Sequence, residues 1–232
     1  MKAYEMSNSQ SRMLKKYGLY YKISGVTLLF AFVSLFFLKF PNLLFSFAII
    51  ILSIVMATGF YSKKTKIDNR VLVEKKLYEY FKEGRIFRDV RFLYKNEQFH
   101  MEYLVLSKTG NYYVKFDAAR GIITGDGNND KLTHDINGKN TKKSVREINN
   151  PLYEMKDITK AFKSLVKSNT GEKIQLDPVN IYINDYSIIQ LEGESLISHI
   201  KDVEKLFDRM NNEVLNQVDI NKINLASYEV IR

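Results

Sequence analysis

Residues 102–126 read EYLVLSKTGNYYVKFDAARGIITGD, and this stretch decides what kind of domain the chain forms. Two apolar runs flank a turn at Gly110, and a third, shorter run lies between two glycines. Apolar runs of this length that are bounded by turn residues predict a β-hairpin followed by a short strand. Because side chains alternate along a strand, Lys115 and Asp117 are expected on one face of the sheet. The chemistry of this charged pair depends on which other residues of the chain lie near it.

The segments around this stretch predict a domain of mixed helix and strand. Helices are predicted where apolar residues recur at helical spacing, and strands where short apolar runs lie between turn signals. The predicted helices are 68–84, 151–167 and 195–214, and the predicted strands are 85–93, 99–107, 111–118, 122–124, 179–183 and 187–190. Asp68 or Asn69 is expected to cap the first helix, and the polar segment 125–150 to hold at most short edge strands. This order indicates an α/β or α+β domain with a mixed sheet.

The composition excludes several kinds of chemistry. The chain of 232 residues has no cysteine and three histidines, which excludes disulfides, thiolate zinc sites and cysteine nucleophiles, and disfavours a histidine metal cage. Residues 1–66 hold nine of the 35 Lys and Arg residues and one of the 26 acids, which leaves 26 bases and 25 acids, a net charge of +1, for residues 67–232. A nearly neutral domain argues against a broad basic face for phosphate binding and leaves room for a local basic groove.

Two uncharged apolar runs near the N-terminus predict membrane-spanning helices. The uncharged runs are 23–38 and 43–60, and the tyrosines and the lysine before the first run extend its span to about residue 20. Each span is close to the length that crosses about 30 Å of hydrocarbon. Pro41 lies between them and cannot continue a helix, so a tight turn is expected there. A signal peptide fits poorly because no small-residue cleavage site follows the first run, and a buried helical hairpin would need more covering surface than this chain offers. The sequence therefore predicts a transmembrane helical hairpin.

Basic residues at both outer ends of the predicted hairpin indicate its orientation. They are Arg12, Lys15, Lys16 and Lys22 before the first run and Lys63, Lys64 and Lys66 after the second, with Lys39 alone between the runs. Because cytoplasmic loops carry the excess of Lys and Arg, both termini are expected in the cytoplasm. The prediction is a multi-pass protein of the cell membrane, with the hairpin in residues 1–66 and a cytoplasmic domain in residues 67–232.

The order of motifs over residues 67–210 resembles the nuclease-related domain family, or NERD, whose core is similar to that of restriction-endonuclease-like nucleases. The family pattern has a Gly-Glu helix, an I-D-H strand, a glycine turn, a strand ending in Glu-x-Lys, a G-x-I-x-G segment and Asn-Pro-x-x-Gln. The matching positions here are Val73-Glu74, Met101–Leu104, Gly110, Lys115–Asp117, Gly121–Gly125 and Asn150–Glu154. The resemblance implies a restriction-endonuclease-like mixed sheet flanked by helices.

The chain departs from the family pattern at the positions that carry the chemistry. Lys115-Phe116-Asp117 stands where the family has Glu-x-Lys, Glu102 replaces the Asp, and Glu154 replaces the final Gln. In metal-dependent nucleases two carboxylates hold Mg²⁺, and a lysine orients water or stabilises developing charge. Exchanging the lysine and a carboxylate along one strand favours loss of the metal site, with Lys115 in an ion pair with Glu102 or Glu74.

The resemblance implies a set of candidate catalytic residues, which are Glu74, Glu102, Lys115 and Asp117. Glu102 and Asp117 are the implied metal ligands if the site is active. A separate basic cluster is a candidate for contact with nucleic acid or anionic lipid, and it comprises Lys139, Lys142, Lys143 and Arg146. A solvated loop is the simpler interpretation of this cluster. Asn150 and Pro151 predict a helix start, with the asparagine as the cap.

The sequence favours a membrane-anchored NERD-like domain that has lost catalysis, needs no cofactor, and binds nucleic acid or a protein partner. Two alternatives stay open. One is an active Mg²⁺-dependent phosphodiesterase with a rearranged Glu/Lys/Asp site. The other is a structural subunit of a membrane assembly that binds a protein partner or a second copy of itself.

Overall fold

The structure is a computed structural model that describes residues 6–35, 42–138, 144–193 and 195–212. The chain divides into two units, of which one ends at Leu72 and the other begins at Val73.

The first unit contains two helices, α1 (Asn8–Ser34) and most of α2 (Asn42–Tyr80). A capping box begins α1, in which Ser7 Oγ accepts from the Gln10 amide and the Gln10 side chain accepts from the Ser7 amide. Ser34 Oγ lies 3.1 Å from Ser46 Oγ near one end of the pair, and the rings of Tyr20 and Phe60 lie 5.2 Å apart near the other. The two helices therefore run antiparallel.

This helical pair buries small residues and exposes large apolar ones. Among the described side chains of the pair, the buried ones are Ser24, Ala31, Ser46 and Ser53, spaced seven apart on each helix. Large apolar side chains point outward, and Phe30 is 71% exposed. Within the described part of the chain, one helix, Ser46–Tyr80, is long and apolar enough by length and composition to cross a membrane. The predicted first span and the turn at Pro41 extend into residues outside the described ranges.

The helix predicted to begin at Asp68 or Asn69 is instead the continuation of α2. That prediction was wrong because neither Gly nor Pro interrupts the chain between Gly59 and Gly84, so nothing ends the preceding helix. Asp68 does not cap a helix here, and its carboxylate lies 2.5 Å from Lys64 Nζ, one turn earlier.

Over the described residues, the second unit has nine strands and two further helices. The strands are β1 (Arg85–Tyr94), β2 (Glu97–Leu106), β3 (Asn111–Asp117), β4 (Gly121–Asp126), β5 (Lys131–Asp135), β6 (Val145–Asn149), β7 (Asp177–Tyr182), β8 (Ser187–Glu192) and β9 (Ile197–His199). The helices are α3 (Pro151–Thr170) and α4 (Val203–Asn212), the latter preceded by a 3₁₀ turn at Ile200–Asp202. The predicted mixture of helix and strand is confirmed.

The strands form two sheets where the sequence predicted one. The larger sheet has the order β1-β2-β3-β7-β9 and the smaller has β6-β5-β4-β8. Both are mixed, because β7 runs parallel to β3 and β9, and β8 runs parallel to β4, while the other pairs are antiparallel. The chain changes sheets just before Gly121, which has a φ of 109° and whose absent Cβ would lie 2.3 Å from the Asp135 carbonyl oxygen. Only glycine permits this approach between β4 and β5.

The segment predicted as a helix from residue 195 begins as strand β9. Ile197 and His199 are both buried on alternate positions, and Ile197 pairs with Asn180 of β7. The His199 ring nitrogen Nε2 lies 3.0 Å from the Asn184 carbonyl oxygen. The apolar residues at helical spacing form helical structure only from Ile200 onward.

Helices cover both faces of the five-stranded sheet. The end of α2 and helix α4 pack on one face through residues such as Leu77 and Phe207. Helix α3 packs on the other through residues such as Met155 and Phe162. We call these the α2/α4 face and the α3 face.

Candidate functional site

Three of the four candidate catalytic residues lie together on the α3 face. Strand β3 alternates between the two cores, and Tyr113 packs on the α3 side. Lys115 and Asp117 therefore share that face. On β2 the same alternation places Glu102 with Leu104, which also packs on the α3 side. The register pairs Tyr103 with Val114, so the next position along sets Glu102 opposite Lys115.

Both carboxylates of this group accept hydrogen bonds from the main chain. The Phe116 amide donates to Glu102 Oε2 at 2.9 Å. The Ala119 amide donates to Asp117 Oδ1 at 2.7 Å, which closes a turn where β3 ends. Each carboxylate thus helps to fix the backbone at the carboxyl end of β3.

Lys115 pairs with Glu154, where the sequence predicted Glu102 or Glu74 as its partner. Lys115 Nζ lies 3.7 Å from Glu154 Oε2, and the two side chains are 36% and 51% exposed. Glu154 lies in the first turn of α3, which begins as predicted at Asn150 and Pro151. The partner was missed because the approach of α3 to β3 depends on tertiary packing.

Asn150 fixes the start of α3 through hydrogen bonds in two directions. Its Oδ1 accepts from the Leu152 amide at 2.9 Å and caps the helix. Its Nδ2 donates to the carbonyl oxygens of Gly127 and Asn129, at 2.9 and 2.7 Å, in the turn between β4 and β5. This asparagine therefore joins the smaller sheet to the first turn of α3.

Strand β7 adds two residues that the sequence analysis missed. Its parallel register sets Asn180 beside Lys115 and Tyr182 beside Asp117. Asn180 is fully buried, and its side-chain amide has no hydrogen-bond partner among the described residues. A polar residue in the apolar run VNIYI was the available signal.

Two buried tyrosines border the carboxylates. Burial, followed by the negative charges of Asp117 and Glu154, raises the pKa of the Tyr182 phenol. Burial and the charge of Glu102 raise the pKa of Tyr113 to about 12. Both shifts favour the neutral form of the phenol, so each tyrosine keeps its proton beside an acid.

Glu74 lies on the other side of the sheet and does not join the other three candidates. Its side chain is fully buried, and Oε2 lies 2.6 Å from Arg88 Nη2. The Tyr103 hydroxyl donates to Oε1. Tyr103 packs within the core of the α2/α4 face, so Glu74 belongs to a buried polar network of that face.

The side chains of the α3 face do not fit a divalent metal site. Within the described ranges, no three His, Asp or Glu side chains come together as metal ligands. Lys115 shares its face with Glu102 and Asp117, and its ammonium group has no lone pair to offer a cation. Mg²⁺ is bound through carboxylate oxygens, and Glu102 and Asp117 each direct one of their oxygens to a main-chain amide instead.

The predicted basic cluster lies largely outside the described part of the chain. Lys139, Lys142 and Lys143 fall in the undescribed range 139–143. Arg146 is exposed on β6, an edge strand, opposite His134 of β5.

Comparison with known families finds a match to one segment of the chain. A family model described as NERD, nuclease-related domain, matches residues 69–183. No curated protein and no solved structure matches the chain. The matched residues run from the end of α2 through β7 and include all four candidate positions. The chain therefore contains a nuclease-related domain over residues 69–183.

Proposed function

We propose that this chain is a membrane-anchored, cytoplasmic nuclease-related domain that binds nucleic acid without cleaving it. The supporting observation is the place of Lys115. It stands where the family pattern has a carboxylate, and its ammonium group pairs with Glu154. The family match favours nucleic acid over a protein as the ligand.

The loss of cleavage follows from the charges on the α3 face. A metal-dependent phosphodiesterase places its cation between carboxylates so that the cation can polarise the phosphate and activate water. Here Lys115 holds the position where the family pattern has a carboxylate, so one implied metal ligand is replaced by a positive charge that repels a divalent cation. We also assign a restriction-endonuclease-like core to the domain. A mixed five-stranded sheet with helices on both faces supports that assignment.

Incubation of the purified full-length protein with DNA and RNA tests the loss of cleavage. The protein would be kept in detergent micelles and supplied with Mg²⁺ or Mn²⁺. We expect binding and no cleavage above the protein-free control. Metal-dependent cleavage that disappears in both Glu102→Ala and Asp117→Ala would contradict the proposal and identify an active, rearranged site. Absence of any binding would favour a structural subunit that recognises a protein partner.

The membrane anchor is supported by the pattern of burial in the helical pair. Serines and an alanine lie inside the pair, while large apolar residues cover the outside. In water such a surface would be costly, at about 25 cal/mol for each Å² of apolar area, whereas hydrocarbon solvates it well. Rings of Tyr17, Tyr20 and Phe60 cluster near one end, where Lys63 Nζ lies 5.7 Å from the Tyr17 ring centroid. Aromatic and basic residues together are typical of a membrane interface.

Cysteine labelling tests the topology, because the natural chain has no cysteine. A single cysteine at Lys39→Cys should react in intact cells with a reagent that does not cross membranes. The matched Lys205→Cys, at an exposed position of the second unit, should react only after the cells are permeabilised. Labelling of both positions, or of neither, in intact cells would contradict the two-span arrangement.

A further inference from the structure

The outer surface of α3 carries a single file of lysines. Lys156, Lys160, Lys163 and Lys167 are spaced by four, three and four residues, which places them on one face of the helix. The row extends about 16 Å at 1.5 Å per residue. Three of these lysines are exposed and Lys163 is partly exposed. We call this set the lysine row.

The lysine row is not neutralised by neighbouring acids. Within the described ranges, none of its members forms an ion pair with a carboxylate. Helix α3 has two acids, of which Glu154 pairs with Lys115, and Asp157, three residues before Lys160, forms no ion pair with the row among the described residues. The charge of the row is therefore available to an external anion, although the domain as a whole is nearly neutral.

An aromatic side chain lies at the N-terminal end of the row. Tyr153 is 39% exposed, and Lys156 Nζ lies 3.4 Å from its ring centroid. The other large apolar residues of α3 pack into the cores beneath the helix. The outer surface of α3 thus combines a line of positive charge with one exposed ring.

We propose that the lysine row binds the phosphate backbone of a single-stranded nucleic acid and that a base stacks on Tyr153. This inference rests on the proposed function and assigns it a surface. A single strand is a linear polyanion that a row one lysine wide can follow, and stacking on an aromatic ring adds affinity without sequence preference. A lipid leaflet is a broad anionic plane, and helices that bind it insert apolar side chains, which α3 directs into its own core. Glu154, which pairs with Lys115, lies on a different side of α3 from the row.

Fluorescence anisotropy with a labelled oligothymidylate of about 20 nucleotides tests the proposal. The full-length protein would be held in uncharged detergent with EDTA, so that metal-dependent cleavage cannot interfere. The row variant is K160Q/K163Q/K167Q. Its matched control, K82Q/K201Q/K205Q, removes the same charge from exposed lysines outside α3. Circular dichroism would check that both variants remain folded.

The row variant is expected to bind about 100-fold more weakly at about 0.1 M salt. Its plot of log affinity against log salt should be shallower by about 2, since each single-strand phosphate contact contributes about 0.7. The control and the charge-conserving K160R/K163R/K167R should bind like the wild-type protein. Tyr153→Leu should weaken binding about tenfold without changing the salt slope, because stacking releases no counterions.

The outcomes separate this inference from the function on which it rests. Equal binding by the wild-type protein and the row variant would show that the lysine row is not the binding surface, and would leave the proposed function intact. If the row and control variants lost affinity equally, the lysine row would likewise not be the specific binding surface. No binding by the wild-type protein would overturn both. If the row variant lost only its affinity for vesicles that contain phosphatidylserine, the partner would be a membrane and the nucleic-acid proposal would be wrong.

Discussion

The two faces of the five-stranded sheet carry the same kinds of side chain in different surroundings. Each face has an acid, a cation and a buried tyrosine. On the α2/α4 face, Glu74 is fully buried and lies 2.6 Å from Arg88. On the α3 face, the exposed pair of Glu154 and Lys115 is separated by 3.7 Å.

Burial separates a structural ion pair from groups that can meet a ligand. A buried acid that loses its cation keeps an uncompensated charge in a region of low polarity. Breaking the pair therefore costs much free energy. An exposed pair is solvated whether it is closed or open, and its interaction is weak. Glu74 on α2 is thus part of the core, while Lys115 and Asp117 on β3 are partly exposed.

Removing the buried acid should have the largest effect. Glu74→Ala is expected to lower the free energy of unfolding by about 3–5 kcal/mol, because it leaves Arg88 without its buried counterion. Denaturation of the full-length protein in detergent, followed by circular dichroism, measures this loss. Glu79→Ala on the same helix is the control. Its carboxylate is 54% exposed, so it should cost less than about 1 kcal/mol. Equal losses in the two variants would contradict the distinction between the faces.

Alkaline pH should destabilise the α3 face next. Burial and the charge of Glu102 raise the pKa of Tyr113 to about 12, above the value of about 10 for an unfolded tyrosine. The folded protein thus binds this proton more tightly, and the resulting stability is present below pH 10 and is lost as the pH rises through about 12. Unfolding measured between these values should show a smaller loss in Tyr113→Phe than in the wild-type protein. Tyr186→Phe, at a residue that is 76% exposed, should behave like the wild type.

A smaller effect is expected at Asn180. Its buried amide has no partner among the described residues, so Asn180→Leu should raise the free energy of unfolding by about 1 kcal/mol. The control is Asn184→Leu, because Asn184 Nδ2 donates to the Ala118 carbonyl oxygen at 3.0 Å. Losing that bond should cost about 1–3 kcal/mol. Destabilisation by both substitutions would mean that a water or ligand forms hydrogen bonds with the Asn180 side chain in solution.

The smallest effect is expected for the exposed pair. Lys115→Met and Glu154→Gln should each change the free energy of unfolding by less than about 1 kcal/mol, and a double-mutant cycle should give a coupling of the same size. A coupling energy near that of a buried pair would contradict the distinction between the two faces.

The sequence predicted elements well wherever the signal was local. Strands β1 to β3 lie within about two residues of their predicted bounds because polar turns and Gly110 separate the apolar runs. The start of α3 at Asn150 and Pro151 was also predicted correctly, because the cap and the proline are adjacent in sequence. The continuity of α2 was missed because cap residues mark a start only where a helix is interrupted. The division into two sheets was missed because sequence does not specify which strands pair across long connections.

The same limit applies to the site. Alternation along β3 correctly placed Lys115 and Asp117 on one face, and the pairing of β2 with β3 adds Glu102 to it. Glu74 was misplaced because the face on which its helix packs is a tertiary property. Asn180 comes beside Lys115 only through the parallel pairing of β3 with β7, which the chain reaches after the whole of α3.

The hydrogen bonds of Asn150 explain why this helix begins with an asparagine. Serine, threonine and aspartate cap helices about as well, but none of them has two N–H donors. Asn150 uses its oxygen for the helix and its NH₂ group for the carbonyl oxygens of Gly127 and Asn129. An aspartate would keep the cap and turn a negative charge toward those carbonyls. One amide group therefore sets how the helix that carries Glu154 and the lysine row is seated against the smaller sheet.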